Sequence, residues 1–302
     1  MRRTPVVVLL LVATRVLIAA QGASFGATAN LVSVYATVTR GDGQYVRDLT
    51  AADFRVFDNG QPREIAVFSN DVQPITVALV VDESGSMLQR LPRVRAAAEA
   101  FVARLVAGDR ASFSTLTHVA SPLTADKTRM TSAIRAAVEW PFWDAGSPIW
   151  GALDRGMTDL AAERGRRVLV IITDGRDTPS VYTTRPWLPS AARPAVFPNA
   201  TGADVSRRAL AEGFMLYAIG FAGSEVEPDV KTIARQSGGG FDLIGAEENL
   251  STAFTDIVDD LHRQYLLGFV PPGFDGTTHT IAVDCLTAGT RVRARLSYIA
   301  EK

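Results

Sequence analysis

The stretch Ile75–Met87 reads "ITVALVVDESGSM". It opens as a nearly unbroken apolar run, rich in β-branched residues and of strand length, with no alternation between polar and apolar positions. A run of that kind is a strand buried on both faces, which is the habit of parallel sheets covered by helices. It stops at Asp82, and Glu83, Ser84, Gly85 and Ser86 follow. A buried strand that ends in a carboxylate and two hydroxyls calls for a chemical reason.

Outward from this strand the period changes to helix and back to strand. "LPRVRAAAEAFVARLV" is helical, "ASFSTL" and "HVASPL" are strands, and "DKTRMTSAIRAAVEW" and "IWGALDRGMTDLAAE" are helical. Strand "RVLVIITD", helix "ADVSRRALAEG", strand "MLYAIGFA", helix "PDVKTIARQSG", strand "FDLIG" and helix "AEENLSTAFTDIVDDLHRQY" complete the alternation. The pattern predicts an α/β fold, a doubly wound and mostly parallel sheet. In such sheets ligands bind outside the carboxyl ends of the strands. "VALVVD" delivers Asp82 to that edge and "VLVIITD" delivers Asp174. The loop "WDAGSPIWGAL" adds Asp144 and Ser147, and Asp177 follows Asp174. So many carboxylates repel one another unless a cation compensates them. Carboxylates and hydroxyls are hard oxygen donors, suited to Mg²⁺, Mn²⁺ or Ca²⁺ rather than to zinc, which favours His and Cys.

Asp82-x-Ser84-x-Ser86 and Asp174-Gly175 resemble the Asp-x-Ser-x-Ser and Asp-Gly motifs of von Willebrand factor type A domains, over about residues 74–262. The resemblance implies a Rossmann-like domain with a metal-ion-dependent adhesion site. Asp82, Ser84, Ser86 and Ser147 would be ligands directly or through water, and Asp174 would act through water. One coordination position would stay open for a carboxylate of a partner protein. Two positions depart from the family's pattern. Ser147 stands where Thr is usual, keeping the hydroxyl but losing the β-branch that restricts its rotamers, and Gly151 stands where Asp is frequent. The competing reading is that Ser84 and Ser86 only cap the following helix, which leaves Asp82, Asp174 and Ser147 without a role.

The flanks are different in kind. Residues 31–70 carry short alternating strands punctuated by "GDG" and "DNG" turns, and "LLGFVPP", "HTIAVDCL" and "RVRARLSYIA" return to β after Tyr265. Neither set has enough strands to stand alone. The expected organisation is therefore a discontinuous, β-sandwich-like domain from residues 28–71 and 264–302, with the type A domain, 74–263, inserted into it. These flanks also resemble those of bacterial proteins, common in Acidobacteria, that are described only as related to the type A domain. The arginines of "RVRARL" alternate and read as a solvated face.

Residues 1–23 have the layout of a secretory signal peptide. Arginines precede the apolar run Val6 to Ala13, and small residues follow at Ala19, Ala20 and Ala23. Arg15 keeps the run well short of the roughly 20 residues that span a bilayer. Export with cleavage near Ala20 to Ala23 is expected, to the periplasm or the extracellular space; an uncleaved anchor is the alternative. The one cysteine, Cys285, excludes a disulfide scaffold and a cysteine-rich metal site, and its place in "HTIAVDCL" reads as a small buried hydrophobe.

Lys plus Arg at 31 and Asp plus Glu at 32 leave no positive excess to hold nucleic acid. A haloacid-dehalogenase-like phosphatase would need a second carboxylate where Ser84 stands. "ESGSM" is no nucleophile elbow, His118 reads as mid-strand and His262 as late-helix, and no Ser-His-Asp triad is evident. "SGGG" at 237–240 reads as a helix stop. The loop from Thr178 to Asp204 is far longer than usual for α/β units, which fits a functional loop and a disordered insertion equally. Its Tyr182, Trp187 and Phe197 are candidate apolar contacts for a partner. The expectation is a non-enzymatic, exported module for adhesion or assembly that captures an acidic residue of a partner protein. A structural component with a vestigial metal site and a metal-assisted hydrolase are the alternatives.

Overall fold

The computed structural model describes residues 31–139, 146–178, 200–245 and 249–301. The leader segment 1–23, Asp144, and the loop aromatics Tyr182, Trp187 and Phe197 lie outside the described residues. The chain begins with strands β1 (Val32–Arg40), β2 (Phe54–Asp58), β3 (Gln61–Arg63) and β4 (Val67–Ser69). There follow β5 (Ile75–Val81), α1 (Leu91–Arg104), β6 (Arg110–Thr115), β7 (Val119–Thr124), α2 (Lys127–Glu139), α3 (Ile149–Leu160) and β8 (Arg166–Ile172). Then come α4 (Gly202–Glu212), β9 (Met215–Phe221), α5 (Pro228–Gln236), β10 (Phe241–Ile244) and α6 (Leu250–Leu261), and the chain closes with β11 (Tyr265–Phe269), β12 (Thr278–Cys285), β13 (Thr290–Arg293) and β14 (Ser297–Ile299).

The six central strands run in the order β10-β9-β8-β5-β6-β7, parallel except for β7, which pairs antiparallel with β6. This is the doubly wound α/β sheet that the alternating pattern predicts. Every residue of β5 is buried, because helices cover both faces. Val77, Leu79 and Val81 point into a cluster with Phe101 of α1, Met130 of α2 and Phe254 of α6. Ala78 and Val80 point into a second cluster with Leu153 of α3, Val205 of α4 and Val230 of α5. Phe101 and Phe254 meet edge to face at 6.0 Å, a favoured aromatic geometry. Helix α3 lies so close to the sheet that a Cβ on Gly156 would come within 2.9 Å of Leu169 Cδ2. That approach explains a glycine in a helix interior, where it otherwise costs roughly 1 kcal/mol.

The remaining strands form two four-stranded sheets, β13-β1-β11-β4 and β14-β12-β2-β3. Each draws strands from both flanks: Val32 of β1 faces Phe269 of β11, and Val56 of β2 faces Val283 of β12. Val34, Ala36, Phe54, Leu267, Phe269 and Ile281 share one apolar cluster between them. Cys285 is half-buried and packs against that cluster.

Two readings of the terminal stretch need correction. "RVRARLSYIA" is two strands, β13 and β14, and they belong to different sheets. Arg291 is exposed, but Arg293 and Arg295 are not part of a solvated face. Arg293 binds Asp260, Tyr217 Oη and the carbonyls of Gly238 and Gly239, and Arg295 binds the Leu210 carbonyl at 2.8 Å. The segment is used to dock the two sheets on the central one, and alternation alone does not reveal which side is covered. "SGGG" does end α5, and it also lets β13 and β14 approach. A Cβ on Gly238 would lie 2.6 Å from the Arg295 backbone nitrogen, between β13 and β14, and one on Gly239 would lie 1.8 Å from the Leu216 carbonyl oxygen of β9.

Candidate functional site

Register places the site. β5 and β8 are parallel neighbours, Val81 beside Ile172, so the chain leaves both strands at the same edge. The strand order departs in opposite directions from this pair, which makes the gap above them a topological switch point. Asp82 extends the ladder by one bond, its N–H donating to the Ile172 carbonyl at 2.9 Å.

Asp82 is fully buried. Its Oδ1 accepts from the Ser84 N–H at 2.8 Å and its Oδ2 from Thr173 Oγ1 at 2.6 Å. Burial pushes its carboxyl up to about 6, against the opposing pull of the Thr173 and Ser84 hydrogen bonds. Ser86 Oγ donates to Asp174 Oδ1 at 2.7 Å, and the hydroxyls of Ser84 and Ser86 are 3.1 Å apart. Neither serine serves a helix. Ser84 precedes a single 3-10 turn, Gly85–Met87, without a side-chain capping bond, and α1 begins after Arg90, also without one. The helix-cap reading of these hydroxyls therefore fails.

The structure thus brings Asp82, Ser84, Ser86 and Asp174 together at one edge. Ser147 arrives at the same edge by another route. Its N–H donates to Thr178 Oγ1 at 2.7 Å, and its carbonyl accepts from the Thr178 and Ile149 N–H groups. Asp177 does not join the cluster: its Oδ1 accepts from the Trp150 N–H at 3.1 Å, tying the start of α3 to the loop after β8. Glu83 turns away as well. Its carboxylate accepts from the Leu116 N–H at 2.9 Å and from Thr117 Oγ1, securing the turn between β6 and β7. Burial raises the Glu83 carboxyl, with those hydrogen bonds opposing. His118 lies in that turn, just before β7 rather than mid-strand, with Nδ1 2.8 Å from Thr115 Oγ1.

The sequence reading missed Arg90 and Thr173. Arg90 Nη1 donates to Asp174 Oδ2 at 2.8 Å and to the Ser86 carbonyl at 3.1 Å, and its guanidinium lies over the Phe221 ring at 4.8 Å. Thr173 directly precedes Asp174, so a hydroxyl at the strand end was a usable signal. Arg90 carried no such mark, since its role depends on where the turn after Ser86 aims it.

Residues 76–256 match the von Willebrand factor type A domain family, and the chain belongs to that family. Domains of this family often hold a divalent metal at this motif. No curated protein sequence matches the chain. In structure it is similar to a von Willebrand factor type A protein from Catenulispora acidiphila, with a TM-score of 0.50 at 13% identity over 91% of this chain and 75% of that one. It is also similar to proximal thread matrix protein 1 of the mussel byssus, with a TM-score of 0.51 at 16% identity over 68% of this chain and 51% of that one. That mussel protein has been solved with zinc occupying its metal-ion-dependent adhesion site, at a TM-score of 0.50, 16% identity and coverage of 68% and 50%. At these identities the likeness concerns the fold.

Proposed function

We propose that the chain is an exported protein-binding module for adhesion or assembly, which captures an acidic residue of a partner through a divalent cation. The observation that carries this reading is the convergence of Asp82, Ser84, Ser86 and Asp174 at the switch point, with serine hydroxyls that no helix uses. The donor spacing fits a small hard cation. Adjacent ligands of octahedral Mg²⁺ at 2.0–2.1 Å are about 3 Å apart, and the Ser84 and Ser86 hydroxyls are 3.1 Å apart. Asp82, Ser84, Ser86 and Ser147 would hold the cation, with Asp174 acting through water; a bound cation supplies a Lewis-acidic position that attracts a carboxylate. The protein's part is to hold the donors: Thr173 and the Ser84 N–H fix Asp82, and Glu83 and Asp177 brace the loops on either side. Tyr182, Trp187 and Phe197 would add apolar contacts, since aromatic anchors often dominate binding energy.

Mg²⁺ leads the proposed ions, with Mn²⁺ and Ca²⁺ next, and the zinc in the mussel protein's site adds Zn²⁺ to the ions that need testing. Export to the periplasm or outside the cell is part of the proposal and rests on the residues 1–23. Among the described residues no helix is long and apolar enough to cross a membrane. Membership of the bacterial subgroup suggested by the flanks is likewise a proposal. A second reading, a structural component with a vestigial site, draws support from Arg90, because a guanidinium already neutralises Asp174.

Cation binding separates the two. A ligand bound only to the native state adds about 2.7 kcal/mol of stability at a hundredfold excess over Kd. The melting temperature should rise with Mg²⁺ or Mn²⁺, and Asp82→Ala should abolish the rise. An equal response in both proteins, or none in either, points to the vestigial site. Given binding, a partner drawn from the exporting cell should be retained by the wild type and released by EDTA or Asp174→Ala.

A further inference from the structure

At the opposite ends of the same strands the chain closes a cavity of about 270 Å³ between the carboxyl end of α4, the start of β8 and strand β14. A smaller void of about 10 Å³ shares Ser33, Tyr35, Arg167, Gly213 and Arg295 with it and adds Arg166 and Ser237. The smaller one has room for about one water-sized group. Arg167 and Arg295 thus line both cavities and Arg166 the smaller one beside them. Arg166 is 3% exposed, and Arg167 and Arg295 are half-buried.

None of the three has a carboxylate partner among the described residues. Arg166 donates to the carbonyls of Leu261 and Gln73 and to Gln264 Oε1. Arg167 donates to the carbonyls of Ala161 and Glu212. Arg295 donates to those of Ser297 and Leu210. Each also lies against an aromatic ring: Arg166 on Tyr35 at 4.9 Å, Arg167 on Phe214 at 4.4 Å and Arg295 on Tyr298 at 5.9 Å. Two carboxylates line the larger cavity, and Glu212 is already bound to Arg208 at 2.7 Å. The other, Glu301, is exposed. Arg166 Nε is buried without any partner.

A plainer account is that these arginines cap the last carbonyls of α4 and join the sheets. It covers the carbonyl contacts. A helix terminus, however, offers about half a unit of negative charge. Glu212 acts on Arg167, and Asp109 and Asp260 act on Arg166, from a distance. That leaves Arg295 with no carboxylate acting on it and the Arg166 Nε unmatched among the described residues. Burial costs a charged group several kcal/mol unless a counter-charge is present. Burial pushes Arg295 down to about 10, with Tyr298 opposing, so the group is still cationic at neutral pH.

We propose that this cavity binds a small organic anion, a carboxylate or phosphate group on a short apolar body. Guanidinium groups bind both oxyanions through paired N–H donors. Arg167 and Arg295 would take the anionic group at the inner end, with Arg166 behind them. Leu31, Val32, Phe274 and Ile299 line the same cavity and suit the apolar part. Its volume admits a small molecule and excludes a peptide segment or a nucleic acid. The site is independent of the cation-binding edge.

Calorimetric titration of the full chain at low ionic strength tests this with phenyl phosphate, phenylacetate, inorganic phosphate and the neutral benzyl alcohol. Saturable binding of phenyl phosphate or phenylacetate, at least tenfold tighter than benzyl alcohol, is expected, and the tighter of the two identifies the oxyanion. Inorganic phosphate should bind more weakly than phenyl phosphate. Arg295→Met should raise Kd at least tenfold. Ser33→Trp, at an exposed strand position on the cavity wall, should do the same with every arginine in place, while near-UV circular dichroism stays unchanged. Failure of both aromatic anions to saturate, equal binding of benzyl alcohol, or unaltered binding in a folded Ser33→Trp protein overturns the proposal.

Discussion

Strands β5 and β8 run into acids at their carboxyl ends and β8 begins with two arginines, and the two ends are satisfied in different ways. At the carboxyl ends, Asp82 and Asp174 are met by hydroxyls, one backbone N–H and a single guanidinium, Arg90. At the amino ends, Arg166 and Arg167 are met by carbonyl oxygens and aromatic faces. Hydroxyls can turn to face a cation without moving the backbone, which is what the proposed cation exchange at the acidic edge requires. Carbonyls at a helix end belong to fixed peptide groups. The arginine end therefore holds its side chains in place, with no carboxylate in a salt bridge to Arg166 or Arg167 among the described residues. In the proposed function one end is arranged around an exchangeable cation, whereas the other forms a junction between sheets.

The junction can be broken most severely by removing strands. We propose that residues 28–71 and 264–302 form one domain. Deleting 264–302 removes β11 to β14, the direct partners of β1 and β2. Protection of the β1 and β2 amides in hydrogen exchange should then be lost, and unchanged protection would count against a shared domain.

Asp260 offers a smaller break. It is 5% exposed and receives hydrogen bonds from Thr37 of β1, Arg293 of β13 and Tyr217 of β9. Asp260→Ala leaves Arg293, whose side chain is 37% exposed, without its carboxylate and strips buried Thr37 and Tyr217 of their acceptor; an unsatisfied buried polar group costs about 1–3 kcal/mol. Urea unfolding should show that drop, whereas a loss below about 1 kcal/mol would mean that water replaces the carboxylate.

At the acidic edge, Arg90→Ala sharpens the comparison. If Arg90 stands in for an exchangeable cation, its removal should tighten Mn²⁺ binding several-fold. The gain is limited because the Arg90 side chain is 34% exposed, and solvent screens such pairs to about 1 kcal/mol or less. An unchanged or weaker Mn²⁺ affinity would show that Arg90 positions Asp174 and does not compete for it.

The smallest effect is expected at His279, inside the sheets, with Nδ1 2.7 Å from Asp58 Oδ1 and Nε2 3.4 Å from Asp275 Oδ2. Burial lowers its imidazolium, but the hydrogen bonds and charges of Asp58 and Asp275 outweigh burial and raise it above the ordinary value. Its contribution to stability is thus complete below the unfolded value of about 6.5 and fades as pH climbs through the folded one. Wild-type stability minus that of His279→Gln should decline above pH 6.5. A difference that is flat or rises with pH would contradict the assignment.

The central sheet was legible because its physics is local. An apolar, β-branched run buried on both faces can hardly be anything but an inner strand, and the carboxylates that close two such runs must emerge at one edge once the strands are parallel. That reasoning brought Asp82, Asp174 and Ser147 to one edge together with Asp177, which bonds to the Trp150 N–H instead; the set Asp82, Ser84, Ser86, Ser147 and Asp174 came from the resemblance to type A domains. It did not reach Arg90, whose contact with Asp174 spans 84 residues, and it misread Arg293 and Arg295.

The sequence by itself determined the strands, the helices and the oxygen donors at their ends, since period and turn chemistry act over a few residues. Only the tertiary structure decided which arginines turn inward. "RVRAR" has the same alternation whether its side chains meet water or the end of α4. What selects burial is the backbone of another segment, the carbonyls of Gly238 and Gly239 that accept from Arg293, together with the ring of Tyr298 and the carboxylate of Asp260. A charge is buried where distant parts of the chain supply its partners, and such partners leave no period in the sequence.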